Sequence, residues 1–210
     1  MNSFVEIQNF GFNVLTISFL GTVLLTLLQM KSMYEQGKTI WEKRKGESVS
    51  VLQFSYFAAY LFAIFPYGIA QQSVALIFNA FLGMFCFYVM VGLWRYKRGV
   101  PWYEWVFAFS FFLMIPLMIF LDSDGREFLF SALLFGILVF STCQLYELMK
   151  EGKAGNITIN VQKMFMLSNT FWFFYSSFIG NVPLMIFNPV MFVINWKIIR
   201  LAKEYSRATV

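Results

Sequence analysis

The stretch QGKTIWEKRKGESVSVLQFSYFAAYLFAIFPY, residues 36–67, is answered by QLYELMKEGKAGNITINVQKMFMLSNTFWFFY, residues 144–175. The matches are sparse but regular. Gln36, Lys45, Ser50, Phe57, Phe65 and Tyr67 fall 108 residues before Gln144, Lys153, Thr158, Phe165, Phe173 and Tyr175. Each copy passes from a glutamine through a polar, basic stretch into an apolar run that closes on a tyrosine. A duplicated unit of this kind is the build of internally repeated membrane transporters.

Composition agrees with that reading. The chain is 59% hydrophobic and 21% aromatic but only 13% charged, more apolar surface than a soluble core of 210 residues can bury. The first apolar run has neither an early Lys or Arg before it nor a small-residue cleavage site after it, so it reads as a retained span with no cleavable signal peptide. Histidine is absent from the sequence, which removes the commonest general base and metal ligand, and no enzyme, cofactor or metal site is expected. Cys86 and Cys143 lie in apolar segments and read as packing residues. The net charge of +5 sits in short loops between spans, where membrane topology accounts for it and no nucleic-acid partner is called for.

Apolar runs of about 18–21 residues, long enough to cross a hydrocarbon core as helices, recur along the whole chain. Seven are read: Phe12 to Met30 with an amphipathic continuation, Val51 to Ile69, Val74 to Leu93, Trp105 to Leu121, Phe128 to Leu148, Val161 to Ile179 and Val182 to Ile199. Basic residues gather on one side. Lys31, Lys38, Lys43, Arg44 and Lys45, then Arg95, Lys97 and Arg98, then Lys150, Lys153 and Lys163, and finally Lys197, Arg200, Lys203 and Arg207 leave Arg126 alone on the other. Lys and Arg resist translocation, so the N-terminus is expected outside and the C-terminus in the cytoplasm. The connections near Gln71 and Gly180 are short and force the following helix back beside its predecessor. The fold expected is an all-α membrane protein of seven spans: a three-helix repeat over residues 1–99, a linker helix over 100–124, and a second parallel three-helix repeat over 125–210. Asp122 to Glu127 reads as a solvated turn.

These positions resemble the PQ-loop and SWEET sugar-transporter superfamily in its three-one-three form. In that family the first helix of each unit ends in Pro-Gln, followed by a basic stretch, a small hydroxyl residue and a second helix with an aromatic close. Gln36, Lys45, Ser50 and Tyr67 stand in those places, as do Gln144, Lys153, Thr158 and Tyr175. The family prolines would fall at Glu35 and Cys143, so both motifs are degenerate. Helix bends are then expected from Pro66 and Pro189, with Pro116 a third in-span proline. The resemblance implies a pocket asparagine on the third helix of each unit, at Asn79 and Asn188. Their offset of 109 suggests one residue gained in the short turn. Trp172, three residues before Tyr175, matches a family tryptophan, whereas copy one has Ile64 at that place.

The chemistry of these residues is consistent with that implication. A neutral amide at bilayer depth needs a partner, because an unmade hydrogen bond there costs several kcal/mol. Asn79 and Asn188 suit either solute hydroxyl groups or bridges between helices, and Trp172 suits the apolar face of a sugar ring. Gln36, Gln144, Tyr67 and Tyr175 are read as gate residues or helix tethers. Of Ser168, Asn169 and Thr170, helical spacing lets at most two share one face. Glu35 and Glu147 fall near cytoplasmic helix ends and Glu104 and Glu127 at span starts, so no mid-span acid for proton coupling is found. The resemblance thus implies a passive facilitator of sugars, or of another small neutral polar solute, working by alternating access in the lipid bilayer, with self-association of the chain open. A binding receptor without transport and a PQ-loop-type amino-acid transporter are the alternatives. A rhodopsin-like receptor is disfavoured, since Lys197 sits at a helix end where it can snorkel and such receptors lack the repeat.

Overall fold

The computed structural model describes residues 4–152, 154 and 157–208; Lys153, one of the repeat matches, lies outside them. The described residues are helical almost throughout. After a short α1 (Val5–Gln8), α2 runs Val14–Lys43, α3 Val51–Ala70, α4 Val74–Ala80 and α5 Leu82–Tyr96. Then come α6 (Trp102–Ser110), a 3₁₀ turn over Phe111–Leu113, α7 (Met114–Phe120), α8 (Ser123–Glu151), α9 (Ile159–Ile179) and α10 (Val182–Ala208). Taking α4–α5 and α6–α7 each as one unit, six helices among the described residues are long and apolar enough to cross a membrane. The expected span Val161 to Ile179 is present as α9 but is not among the six. Gln162, Lys163, Ser168, Asn169, Thr170, Ser176 and Ser177 dilute its apolar content.

Several helix ends depart from the sequence reading, each for a local reason. α10 runs on past its apolar stretch into basic, amphipathic turns, because helix propensity continues where hydropathy stops, whereas the extension of α2 to Lys43 is the amphipathic continuation expected of it. Asp122 to Glu127 is not a loop: Asp122 Oδ1 accepts the Gly125 N–H at 2.9 Å as an N-cap, and α8 begins at Ser123. Nor does the residue that sets Asn188 out of register lie in the short turn. The N-caps Ser73 and Asn181 keep the 108-residue spacing, so the difference falls inside the third helix. Just past Asn79 the helix of the first half tightens, the Phe81 N–H bonding back to the Phe78 carbonyl at 3.2 Å. Pro66 and Pro189 lie within the continuous helices α3 and α10. The 3₁₀ turn, by contrast, has a proline cause, since Pro116 cannot donate to the Phe112 carbonyl four residues earlier.

Packing repeats itself along the chain. In the first half α5 packs against both α2 and α3; in the second, α10 packs against both α8 and α9. The halves meet crosswise, α2 on α9 and α3 on α8, while α6–α7 packs on α3. Small residues permit the two crosswise seams. A Cβ on Gly21 of α2 would meet the Phe171 ring of α9 at 2.3 Å, and one on Gly136 of α8 would meet Tyr56 Oη of α3 at 1.9 Å. Phe57 and Phe165, repeat equivalents, touch each other with ring centroids 5.7 Å apart. A residue that meets its own equivalent lies on a two-fold axis, so a pseudo-two-fold axis passes between these rings.

Candidate functional site

Beside that pair lies a cavity of about 80 Å³ between the halves. Its wall is mostly apolar and aromatic, with Phe57, Tyr60, Phe165, Trp172 and Phe187 among the lining residues. The polar lining includes Gln29, Asn79, Ser168, Asn169 and Asn188, and no charged side chain among the described residues lines it. The three pocket residues expected from sequence, Asn79, Asn188 and Trp172, therefore share one cavity. Asn188 is 2% exposed and spends its Nδ2 on the Leu184 carbonyl of its own helix at 2.7 Å, which leaves Oδ1 for other partners. Asn79 Oδ1 is met by the Thr26 hydroxyl at 3.4 Å, a long contact because that hydroxyl also donates to the Thr22 carbonyl at 2.8 Å. Trp172 stands edge-on to Tyr175, centroids 5.5 Å apart.

Ser168 and Asn169 were singled out in the sequence only as a polar cluster, yet both line the cavity. They are 1% and 9% exposed, and Ser168 Oγ and Asn169 Nδ2 have no hydrogen-bond partner among the described residues. Thr170 turns away and bonds to the Met166 carbonyl of its own helix at 3.3 Å. A buried orphan donor costs about 1–3 kcal/mol, so the cavity holds polar capacity that the protein itself does not satisfy.

Bonds that cross between the halves tie the helices together toward both ends of the bundle. At the basic end Gln36 Oε1, on α2, accepts the N–H of Thr158, the residue that starts α9, at 3.0 Å. Gln144, on α8, does the same at the start of α3: its Oε1 accepts the Ser50 N–H at 3.1 Å and its Nε2 donates to the Ser48 carbonyl. Each glutamine thus tethers the second helix of the opposite half, a pairing that chain order does not reveal. Lys97 adds to this closure, donating to the Val49 carbonyl at 2.7 Å and pairing with Glu147 at 3.2 Å.

The opposite end carries the matching pair of tyrosines. Tyr175 Oη, on α9, lies 3.1 Å from the hydroxyl of Ser73, the N-cap of α4. Tyr67, on α3, lies near the side chain of Asn181, which caps the start of α10 through the Leu184 N–H at 3.1 Å. Above these tyrosines opens a vestibule of about 590 Å³, lined by Asn9, Tyr67, Gln71, Glu127, Tyr175 and Asn181 among others. Leu76 lines both the vestibule and the cavity and so forms part of the floor between them. The cavity itself is far below the roughly 300–1,000 Å³ of an open ligand site.

Sequence reading missed one further residue here. Glu6 is 3% exposed and bonds to Ser73, Val74, Ala75 and Tyr175. Nothing local in its surroundings marks it, since its partners lie 67 to 169 residues away.

Among solved structures, the chain superposes on a eukaryotic SWEET transporter with a TM-score of 0.64 and 13% sequence identity, over 92% of this chain and 97% of that one. No protein-family model and no curated protein matches it. The likeness is one of fold. The chain has the SWEET transporter fold, and its six apolar helices make it a multi-pass membrane protein.

Proposed function

We propose that this protein is a passive facilitator that carries a sugar, or another small neutral polar solute, across the membrane by alternating access. In this reading α9 crosses as a seventh span. Residues 1–99 and 125–210 are then parallel three-helix repeats joined by a linker helix at 100–124, with the N-terminus outside. The observation that carries the proposal is the cavity beside the pseudo-two-fold axis, with an asparagine from each half and orphan polar groups on its wall. Amide and hydroxyl groups set among aromatic rings suit a hydroxylated ring with one apolar face. The uncharged wall favours a neutral solute over one held by a carboxylate or ammonium. Equivalent cross-half bonds toward both ends support alternating access, because releasing one pair at a time frees one side at a time.

The test is uptake of labelled mono- and disaccharides and neutral amino acids into proteoliposomes, comparing the wild type with Asn79→Ala and Asn188→Ala. Saturable flux in the wild type and its loss in both variants is the expected result. Equal flux in all three removes the site, and accumulation driven by a pH gradient overturns passive transport.

A further inference from the structure

The outer closure is asymmetric in one respect. Tyr67 and Tyr175 are equivalent, as are the N-caps Ser73 and Asn181. The Tyr175–Ser73 contact has a carboxylate bonded into it, whereas on the Tyr67 side Glu127 accepts from Gln71 at 3.4 Å instead. Glu6 Oε1 accepts from the Tyr175 hydroxyl at 2.7 Å, from the Ser73 hydroxyl at 2.8 Å and from the Ala75 N–H at 3.1 Å, while Oε2 accepts the Val74 N–H at 3.1 Å. The N-terminal segment is pinned beside it, the Val5 N–H bonding to the Gln72 carbonyl at 3.0 Å. One buried side chain therefore joins α1, the start of α4 in the first half and α9 in the second.

We propose that Glu6 is a positioning residue of the outer gate, a latch that holds α9 of the second half against the start of α4 in the first and keeps the vestibule side closed. This rests on the alternating-access reading. Opening the outer side separates Tyr175 from Ser73, and that motion must break charge-assisted bonds, about twice as strong as neutral ones. The inner closure has carboxylates of its own, Glu147 paired with Lys97 at 3.2 Å and Glu151 accepting from the Ser48 hydroxyl. Glu6 therefore adds to the outer closure alone, and removing it shifts the balance toward outer opening.

The latch is charged at neutral pH. Burial by itself raises the Glu6 pKa, but the bonds from Tyr175, Ala75 and Ser73 outweigh it and hold the carboxyl below its ordinary value. Tyr175 is the titratable group bonded to it; α4 carries none, and α2 has none before Lys31. A carboxyl whose pKa is lowered in the closed state favours that state fully above its open-state pKa. The preference is lost as pH falls through the lowered value. External acid thus loosens the outer gate without driving accumulation.

Cys86 lines the cavity and is fully buried, so it serves as a native reporter once Cys143 is replaced by serine. The full chain in proteoliposomes, with no solute present, is treated with a membrane-impermeant methanethiosulfonate from either side. Glu6→Gln is expected to raise Cys86 modification from the vestibule side about ten-fold, as loss of a charge-assisted bond predicts, and to leave the basic side unchanged. Glu6→Asp should restore part of the protection, and external acid should accelerate labelling in the Glu6 protein but not in Glu6→Gln. Tyr175→Phe, which deletes a single hydroxyl, should give a smaller one-sided rise and serves if Glu6→Gln does not fold. An unchanged rate, or an equal rise from both sides, overturns the latch. A one-sided rise in a protein that moves none of the solutes overturns the transport reading and supports the latch; transport without the rise does the reverse.

Discussion

Replacing Gln144 by alanine should both destabilise the protein and open its basic end, with a size that follows from two bonds. The side chain is 1% exposed, its Oε1 holds the Ser50 N–H and its Nε2 holds the Ser48 carbonyl. Ser48 and Ser50 are themselves buried at 0% and 3%, so water cannot simply replace the lost partner. Each stranded backbone group costs about 1–3 kcal/mol, which places Gln144→Ala at about 2–6 kcal/mol. Gln36→Ala should also destabilise, since it strands the N–H of Thr158 across the seam. Thermal unfolding in detergent micelles reads both losses, and Cys86 modification from the basic side reads the opening. Gln144→Glu is the sharper variant. It keeps an acceptor for Ser50 but sets an oxygen against the Ser48 carbonyl, so it should unfold early at neutral pH and recover toward acid, where the protonated carboxyl donates again. An alanine variant as stable as the wild type, or a glutamate variant indifferent to pH, refutes the reasoning.

Two further outcomes follow from the packing and the cavity. Gly136→Ala drives a methyl group into Tyr56, whose hydroxyl donates to the Leu133 carbonyl at 2.9 Å. Overpacking at the α3–α8 seam should then lower stability by about 1–3 kcal/mol, measured by thermal unfolding. Asn169→Leu should leave stability equal or higher, because it removes an orphan amide, while lowering solute flux in the proteoliposome assay; a variant that loses stability and keeps flux contradicts the role given to Asn169.

Much of the architecture was legible because its causes are local. Charged residues mark where apolar runs end, and Gln36, Gln144, Tyr67 and Tyr175 repeat at one spacing, so their pairing as equivalents needs only counting. Asn79, Asn188 and Trp172 came instead from the family resemblance, since the asparagines stand 109 residues apart and Trp172 answers Ile64; all three line one cavity. Asn169 was not legible, since Ser168, Asn169 and Thr170 are chemically alike in the sequence and only the rotation of α9 selects which two face inward. The helix over 123–127 was hidden by its acidic, glycine-bearing composition, which suits an N-terminal helical turn as well as a loop.

The sequence by itself determined that this is a duplicated, helical membrane chain, because bilayer thickness and hydropathy act on each segment separately. It also determined which residues are equivalent. Only the tertiary structure decided what those equivalents hold. Each glutamine reaches across to the opposite half, Phe57 meets Phe165, and Glu6 is buried against Tyr175. The physical reason is that such contacts form only when helices a hundred or so residues apart are packed together. An acidic residue ahead of the first span carries no mark of the carboxylate-sized niche that α4 and α9 build around it.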